Sequence, residues 1–444
     1  MRPPLSALLL AVLGAGACSF DLRTNPNSPD PIGANPTRLQ LGVAAAGMLI
    51  AVRMDFARFA LDMGIIGREV LRFDGSDPRY TTELLHGPLD PGGFGSTHWG
   101  FPYAAIRGGN LILAVLPTAE VLSAEERSAT SGYVKTIQAL NYLIILNAHI
   151  QDSIPIVTDT SLTAELAPFQ TNAAAFDNVV TLLEEARGEL AAGGAALPFP
   201  LPDGFAGFDT PTTFLRFNRA LRARVGVYRN DFAGALTALS ESFLTPGGDL
   251  ALGVYMDYGT APGDFANPHS LDPQQGENFG HPSLESGVQF QLDGITPDTR
   301  FTDKLVERPI GGADDLSSDL GWIRYPSPNT PIPIIRNEEL ILLRAEALIG
   351  QGDLAAALLD INDVRVRSGN LPPLGALATP SAALDELLYN KLYSLMFEGA
   401  HRWIDARHYG RLGSLPIDRT GRPGTPDDVV FATLPVPSSE TLPR

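Results

Sequence analysis

An internal repeat of helix, turn and helix limits this chain's possible folds more than any other feature. Leu221-Arg222-Ala223 is followed by Asp231-Phe232 and then Ala235-Leu236. Leu343-Arg344-Ala345 is followed, at identical spacing, by Asp353-Leu354 and then Ala357-Leu358. In each copy a helix ends at a short polar turn, Arg229-Asn230 or Gln351-Gly352. The aspartate then stands where a second helix needs a side-chain acceptor for its unpaired first-turn amides. Small alanines just beyond it let the two helices approach closely. Helices that hide their apolar faces on one another predict a mostly α scaffold and argue against an open strand–helix sheet.

The hairpin is of the tetratricopeptide kind. Apolar residues near a 3.6 period predict further helices over Arg38 to Leu61, Trp99 to Leu116, Ala124 to His149 and Phe176 to Leu190, the last capped by Asp177 or a neighbour. Between the repeat copies, residues from about 245 to 335 are rich in Gly, Pro, Asn and Asp and poor in helical pattern. This is a loop-rich insertion in which Gly287 to Leu292 suggests a small hairpin, so β structure should be minor. With 44 glycines and 37 prolines, the chain has the composition for long loops.

The first residues carry an address. Arg2 precedes an apolar run from Leu5 to Ala17, long enough for a signal peptide and too short to span a bilayer. Ala15-Gly16-Ala17 then leads into Cys18, the only cysteine. A lone thiol in an exported chain has no internal disulfide partner, so lipidation is its expected use. Residues 1–17 read as a lipoprotein signal peptide and 18–36, rich in proline and turn-formers, as an extended tether from a membrane anchor. The remainder, 37–444, reads as one helical body in which no other stretch is apolar enough to cross a membrane.

Acidic residues outnumber basic ones by 50 to 32, and the net charge of −18 disfavours nucleic acid as a partner. No HExxH, GxSxG or phosphate-loop string occurs, and the seven histidines form no pair with metal-ligand spacing, so neither enzyme nor cofactor is expected. His401 and His408 could share a helix face. Glu398, His401, Arg402 and Asp405 fall at helical spacing beside Trp403, which suggests charges paired along a helix in a buried network rather than an acid–base pair. Asp427-Asp428, near Asp418 and Gly421, reads as a solvated turn.

Several separated stretches resemble the SusD/RagB family of surface lipoproteins. They are Cys18 with Asn25-Pro26-Asn27-Ser28-Pro29, Trp99 to Asn110, Asp152-Ser153-Ile154-Pro155, Pro333 to Arg336 with Glu339 to Ala347, and Phe397 to Arg407 before a Pro-Val-Pro ending. The lipobox departs from the usual pattern at Ala15, where leucine is common, and His408-Tyr409 stands where an Arg-aromatic pair is more usual. The resemblance implies a tetratricopeptide-like scaffold with loop-rich insertions, anchored by lipid at the outer membrane and facing the exterior. It also implies a partner, a TonB-dependent SusC-like barrel, and capture of oligosaccharide or peptide for import without bond cleavage.

Candidate ligand contacts are aromatic rings outside the repeat helices, Trp99, Trp322 and Tyr325, with polar groups to orient a ligand, Arg72, Asp74, Arg79 and Asn110. Two other readings stay open. A secreted helical glycosidase would need two carboxylates about 5–10 Å apart across a cleft. A periplasmic solute-binding lipoprotein would need alternating strands and helices.

Overall fold

Both repeat copies fold as helical hairpins in the computed structural model, which describes residues 32–150, 153–160 and 165–441. Counting helices of eight residues or more, these are α1 (Arg38–Ile66), α2 (Gly100–Val115), α3 (Ala124–Ala148), α4 (Asn172–Ala191), α5 (Pro211–Tyr228), α6 (Phe232–Ser240), α7 (Asn337–Gln351), α8 (Leu354–Arg367), α9 (Pro380–Leu395) and α10 (His401–His408). The repeat copies are α5–α6 and α7–α8. Asp231 accepts from the Gly234 amide and Asp353 from the Ala356 amide, both at 3.0 Å. The turn positions also correspond: Asn230 (φ 58°) and Gly352 (φ 82°) are both left-handed, the conformation that lets the chain reverse there. Ala235 and Ala357 are wholly buried at the hairpin seams. Asp353→Ala should therefore lower stability by about 1 kcal/mol in urea unfolding with an unchanged m value.

Helices α1–α2 and α3–α4 make two more hairpins, so four pairs stack side by side, with α1, α3, α5 and α7 adjacent in one layer and α9 against α7 and α8. Buried polar contacts link successive members of that layer. Tyr133 on α3 donates to the Ala45 carbonyl on α1 at 2.9 Å. Asn218 on α5 donates to Thr136 on α3 at 2.9 Å. Arg224 on α5 grips Glu339 on α7 through two bonds of 2.7 Å, and Lys391 on α9 reaches Glu346 on α7 at 2.8 Å. Buried groups of this kind are costly when unpaired, so they fix which helix faces which.

The sequence expectations need four corrections here. Helix α4 begins at Asn172 and is capped by Thr171; Asp177 lies inside it and pairs with Arg229. Helix α1 is long and apolar enough, by length and composition, to cross a membrane. Its Leu41, Met48, Val52, Phe56 and Met63 are buried in the core. The insertion carries real strands: β4 (Gly253–Met256), β5 (Asn278–Gly280), β6 (Leu305–Ala313), β7 (Leu316–Trp322) and β8 (Ile332–Arg336), after β1 (Val70–Arg72), β2 (Ile154–Pro155) and β3 (Phe169–Gln170). A four-stranded antiparallel sheet has the order β1-β5-β7-β6, and β4 pairs with β8. The longest hairpin is β6–β7, turned by left-handed Asp314 and Asp315. The stretch from Gly287 makes a short one: Phe290 bridges Pro297, the Gln291 amide donates to the Thr296 carbonyl at 2.8 Å and the Asp298 amide to the Gln289 carbonyl at 2.9 Å, and Asp293 accepts from the Ile295 and Thr296 amides at the bend.

The fourth correction concerns Asp427-Asp428. Asp428 is buried and bound by Arg419, while Asp418 meets His281 and Arg68, so this turn is bolted to the body. The stretch expected to be a signal peptide, Cys18 and the expected tether up to Pro31 lie outside the described residues.

Candidate functional site

Helix α2 begins directly after Trp99, and its Tyr103, Arg107 and Asn110 face a crossing segment, residues 153–160. Each clamps it. Tyr103 donates to the Pro155 carbonyl at 2.8 Å, Arg107 to the Thr160 carbonyl at 2.7 Å and Asn110 to the Val157 carbonyl at 2.9 Å. From α3, the Tyr142 hydroxyl accepts from the Val157 amide at 2.9 Å. The pairing of β2 with β3 then brings Phe169 back over the start of α2.

The result is a groove with two lobes that share Val157. The polar lobe is a cavity of about 580 Å³ between α2, α3 and α4, lined by Asn110, Gln138, Tyr142, Thr158, Asp159 and Asn178. Gln138 donates to Asn110 at 2.7 Å, so those amides hold each other. The Asn178 Nδ2, in contrast, is buried without a partner. A buried donor left unpaired costs free energy that a hydroxyl or carbonyl ligand could recover. The aromatic lobe, about 270 Å³, is lined by Trp99, Tyr103, Arg107, Leu166 and Phe169. Trp99 and Phe169 stack with centroids 6.3 Å apart and planes 29° from parallel, and Phe169 is 42% exposed.

The floor of this lobe is fixed from behind. His149 packs edge-on against Trp99 at 5.1 Å and contacts the backbone carbonyls of Thr97 and Pro435. Burial pushes His149 down to about 4, so it is neutral at ordinary pH. The Leu434 amide donates to the Ala148 carbonyl at 2.8 Å, which seats the late Pro-Val-Pro segment beside the site. Burial holds the Tyr103 phenol well above its ordinary value and pushes Tyr142 up to about 12, so both act as neutral hydroxyls.

No protein-family model matches this sequence, and no curated protein matches it significantly. Solved structures do. A SusD superfamily protein from Bacteroides vulgatus ATCC 8482 aligns over 91% of this chain and 96% of its own, with a TM-score of 0.70 and 17% identity. A laminarin binding SusD-like protein aligns over 90% and 97% (TM-score 0.63, 18% identity). A SusD-like carbohydrate binding protein from Bacteroides fragilis NCTC 9343 aligns over 87% and 97% (TM-score 0.60, 16% identity). The chain has the SusD fold.

Within this SusD fold the residues singled out from sequence fall in three places. Trp99 and Asn110 line the groove, although Trp99 is only 6% exposed and stacks with Phe169. Arg72, Asp74 and Arg79 line neither lobe. Arg72 is held by Asp74, Glu277 and Asn278, and Arg79 by Asp77. A hydrogen bond from Ser76 and the Arg72 charge draw Asp74 down to about 2 against some burial. Trp322 and Tyr325 are corrections. They are 4% and 2% exposed and pack on Phe397, so neither presents a ring to a ligand. Strand β7 and the segment after it carry them into the core.

The late motif is structural, but not as charges paired along one helix. Phe397 and Ala400 are left-handed, so α10 starts only at His401 and Glu398 lies outside it. Glu398 binds Arg336 and Arg324, Asp405 binds Lys391, and Arg402 donates to the Arg68 carbonyl and contacts Ser283. His401 faces Glu339 at 4.0 Å and is buried. Sequence reasoning missed Phe169, Gln138, Tyr142 and Asn178 in the groove. Phe169, an aromatic outside the helices, carried the same signal as Trp99, whereas Tyr142 lies on α3 and read as core.

Proposed function

We propose that this protein captures a neutral oligosaccharide in the two-lobed groove and does not cleave it. The observation that carries this reading is the SusD fold across nine-tenths of the chain, shared with proteins named as carbohydrate binding. The groove supports it. An aromatic shelf gives the apolar face of a pyranose a flat partner, and the amide- and hydroxyl-lined cavity next to it suits sugar hydroxyls. Its combined size suits a short oligosaccharide rather than a single ring. A glycosidase would need two facing carboxylates about 5–10 Å apart; among the described residues the groove's two, Asp159 and Glu440, line different lobes. The stacked helical hairpins are likewise unlike the alternating strands and helices of a solute-binding lipoprotein.

The same reading extends to the envelope. Residues 1–17 are a signal peptide, Cys18 is acylated, and a lipid-anchored helical body from residue 37 onward sits at the outer surface and hands its cargo to a TonB-dependent SusC-like barrel. Mass spectrometry of the membrane-extracted protein should find Cys18 as an acylated amino terminus, and gentle detergent extraction should recover a barrel with it.

Binding is tested by screening labelled oligosaccharides and peptides against the purified protein. Phe169→Ala and Asn178→Ala should each weaken the best glycan by about 1–3 kcal/mol in calorimetry. Unchanged affinity in both variants would remove the groove as the site, and release of shorter sugars on incubation would replace capture with catalysis.

A further inference from the structure

A second pocket, remote in chemistry from the groove, lies where α1 meets residues 200–205 and strand β4. Its volume is about 320 Å³, within the range of small-molecule sites. The walls are apolar and flat: Leu49 and Ile50 from α1, Pro202 and Phe205 from the loop, Tyr255 and Met256 from the strand. The loop wall is pressed hard against the strand, since a Cβ on Gly204 would stand 2.2 Å from the Tyr255 carbonyl oxygen. The Gly204 amide donates to Asp257, which ties the same junction. The wall is thus preformed rather than collapsed by default.

One polar corner interrupts this lining. Arg53 and Asp257 both line the pocket, and Arg53 pairs with Asp264 at 2.8 Å. The Arg53 Nε is buried and has no partner. Asp257 and Asp264 therefore share this corner with one guanidinium, and Asp203 adds a further negative charge beside Asp257. The local balance is negative, which repels an anion even though an arginine donor is free.

We propose that this pocket binds a neutral aromatic alcohol. Its ring lies between Ile50, Pro202 and the half-buried Tyr255, and its hydroxyl accepts from Arg53 Nε and donates to Asp257. A flat ring suits walls made of prolines and Tyr255, and a hydroxyl is the smallest group that serves an unpaired donor and an acceptor from one atom. Such a group is the non-sugar part of a phenolic glycoside, or a free phenol. It is not a ligand for the polar groove.

The test is calorimetry of the purified protein with 2-naphthol, 2-naphthoate and naphthalene. The expected order is 2-naphthol tightest, with each of the others weaker by about tenfold. Arg53→Met should remove part of the advantage of 2-naphthol over naphthalene and leave the part that rests on the bond to Asp257. Ile50 is 51% exposed, so Ile50→Trp can narrow the mouth without disturbing the core, and it should abolish binding of all three. Naphthoate binding as tightly as naphthol would overturn the neutral-ligand assignment. Naphthol binding that survives Ile50→Trp would overturn the site.

Discussion

Glu398→Gln is expected to cost the fold about 3 kcal/mol, the lower end of the ~3–5 kcal/mol typical for breaking a buried ionic cluster from one side. Glu398 is 2% exposed and is the single carboxylate that meets Arg336 at 3.1 Å, Arg324 at 3.0 Å and Lys304 at 3.8 Å. These cations come from the ends of β8, β7 and β6, so the cluster fastens the insertion to the segment between α9 and α10. Burial alone would raise the Glu398 carboxyl, but Arg336, then Arg324 and Lys304, hold it well below the usual carboxylate range. In the variant the two guanidiniums cannot shed a proton. Lys304 can: burial already pulls it down to about 7, and without Glu398 it becomes neutral. Arg336 also keeps Glu338. Those two reliefs place the loss near the lower bound. Because the folded carboxyl is depressed, its contribution is complete above the unfolded value of about 4.3 and fades as pH falls through the folded one. The gap between wild type and variant in urea unfolding should therefore widen somewhat below pH 7, where Lys304 protonates in the wild type and stays neutral in the variant, and shrink once pH falls through the carboxylate range. Glu120→Gln, on an exposed turn, should stay within about 0.5 kcal/mol. A Glu398 variant equally stable at pH 7 would show that the cluster is dispensable.

The scaffold was readable because its signals are local. An aspartate cap, a left-handed turn residue and a buried alanine all act within one hairpin, so matched spacing in two copies was enough to place α5–α6 and α7–α8. The contacts that align the hairpins were not readable. Tyr133 meets Ala45 across 88 residues and Arg224 meets Glu339 across 115, and neither pair has a sequence signature. The same limit governs the site. Trp322 and Tyr325 sit in a stretch rich in glycine and proline and so read as exposed, yet the β1-β5-β7-β6 sheet and Phe397 bury both. Asn178 is an unremarkable amide on an amphipathic helix until α2 and α3 close a cavity over it. The late motif misled for a backbone reason: three- and four-residue spacing implies one helix face only if the helix is continuous, and left-handed Phe397 and Ala400 break it.

His98→Asn should cost about 3 kcal/mol more at pH 6 than at pH 10. His98 is 1% exposed and sits between two carboxylates as deeply buried, with Nδ1 2.9 Å from Asp55 and Nε2 3.4 Å from Asp62. The second contact is ionic rather than a good hydrogen bond, because Nε2 and one oxygen on each carboxylate have no hydrogen-bond partner. Arg58 supplies a further charge to Asp62 at 3.2 Å. Burial by itself would lower the imidazole, but the charge and hydrogen bond of Asp55, then Asp62, overcome it and raise the ring from 6.5 to about 9. At about 1.4 kcal/mol for each tenfold change in proton affinity, this rise is worth about 3 kcal/mol. A raised cation stabilises fully below its unfolded value of about 6.5, and the effect is lost as pH climbs through the folded value. Asparagine suits the test because His98 is left-handed (φ 60°), a conformation asparagine tolerates, so the substitution removes charge without adding backbone strain. Lysines and tyrosines also titrate in this window, and subtracting the variant's stability curve from the wild type's cancels them. The difference should hold near its maximum up to about pH 6.5 and fall steadily towards pH 10. A difference that stays flat across that window would mean that His98 is neutral in the folded protein.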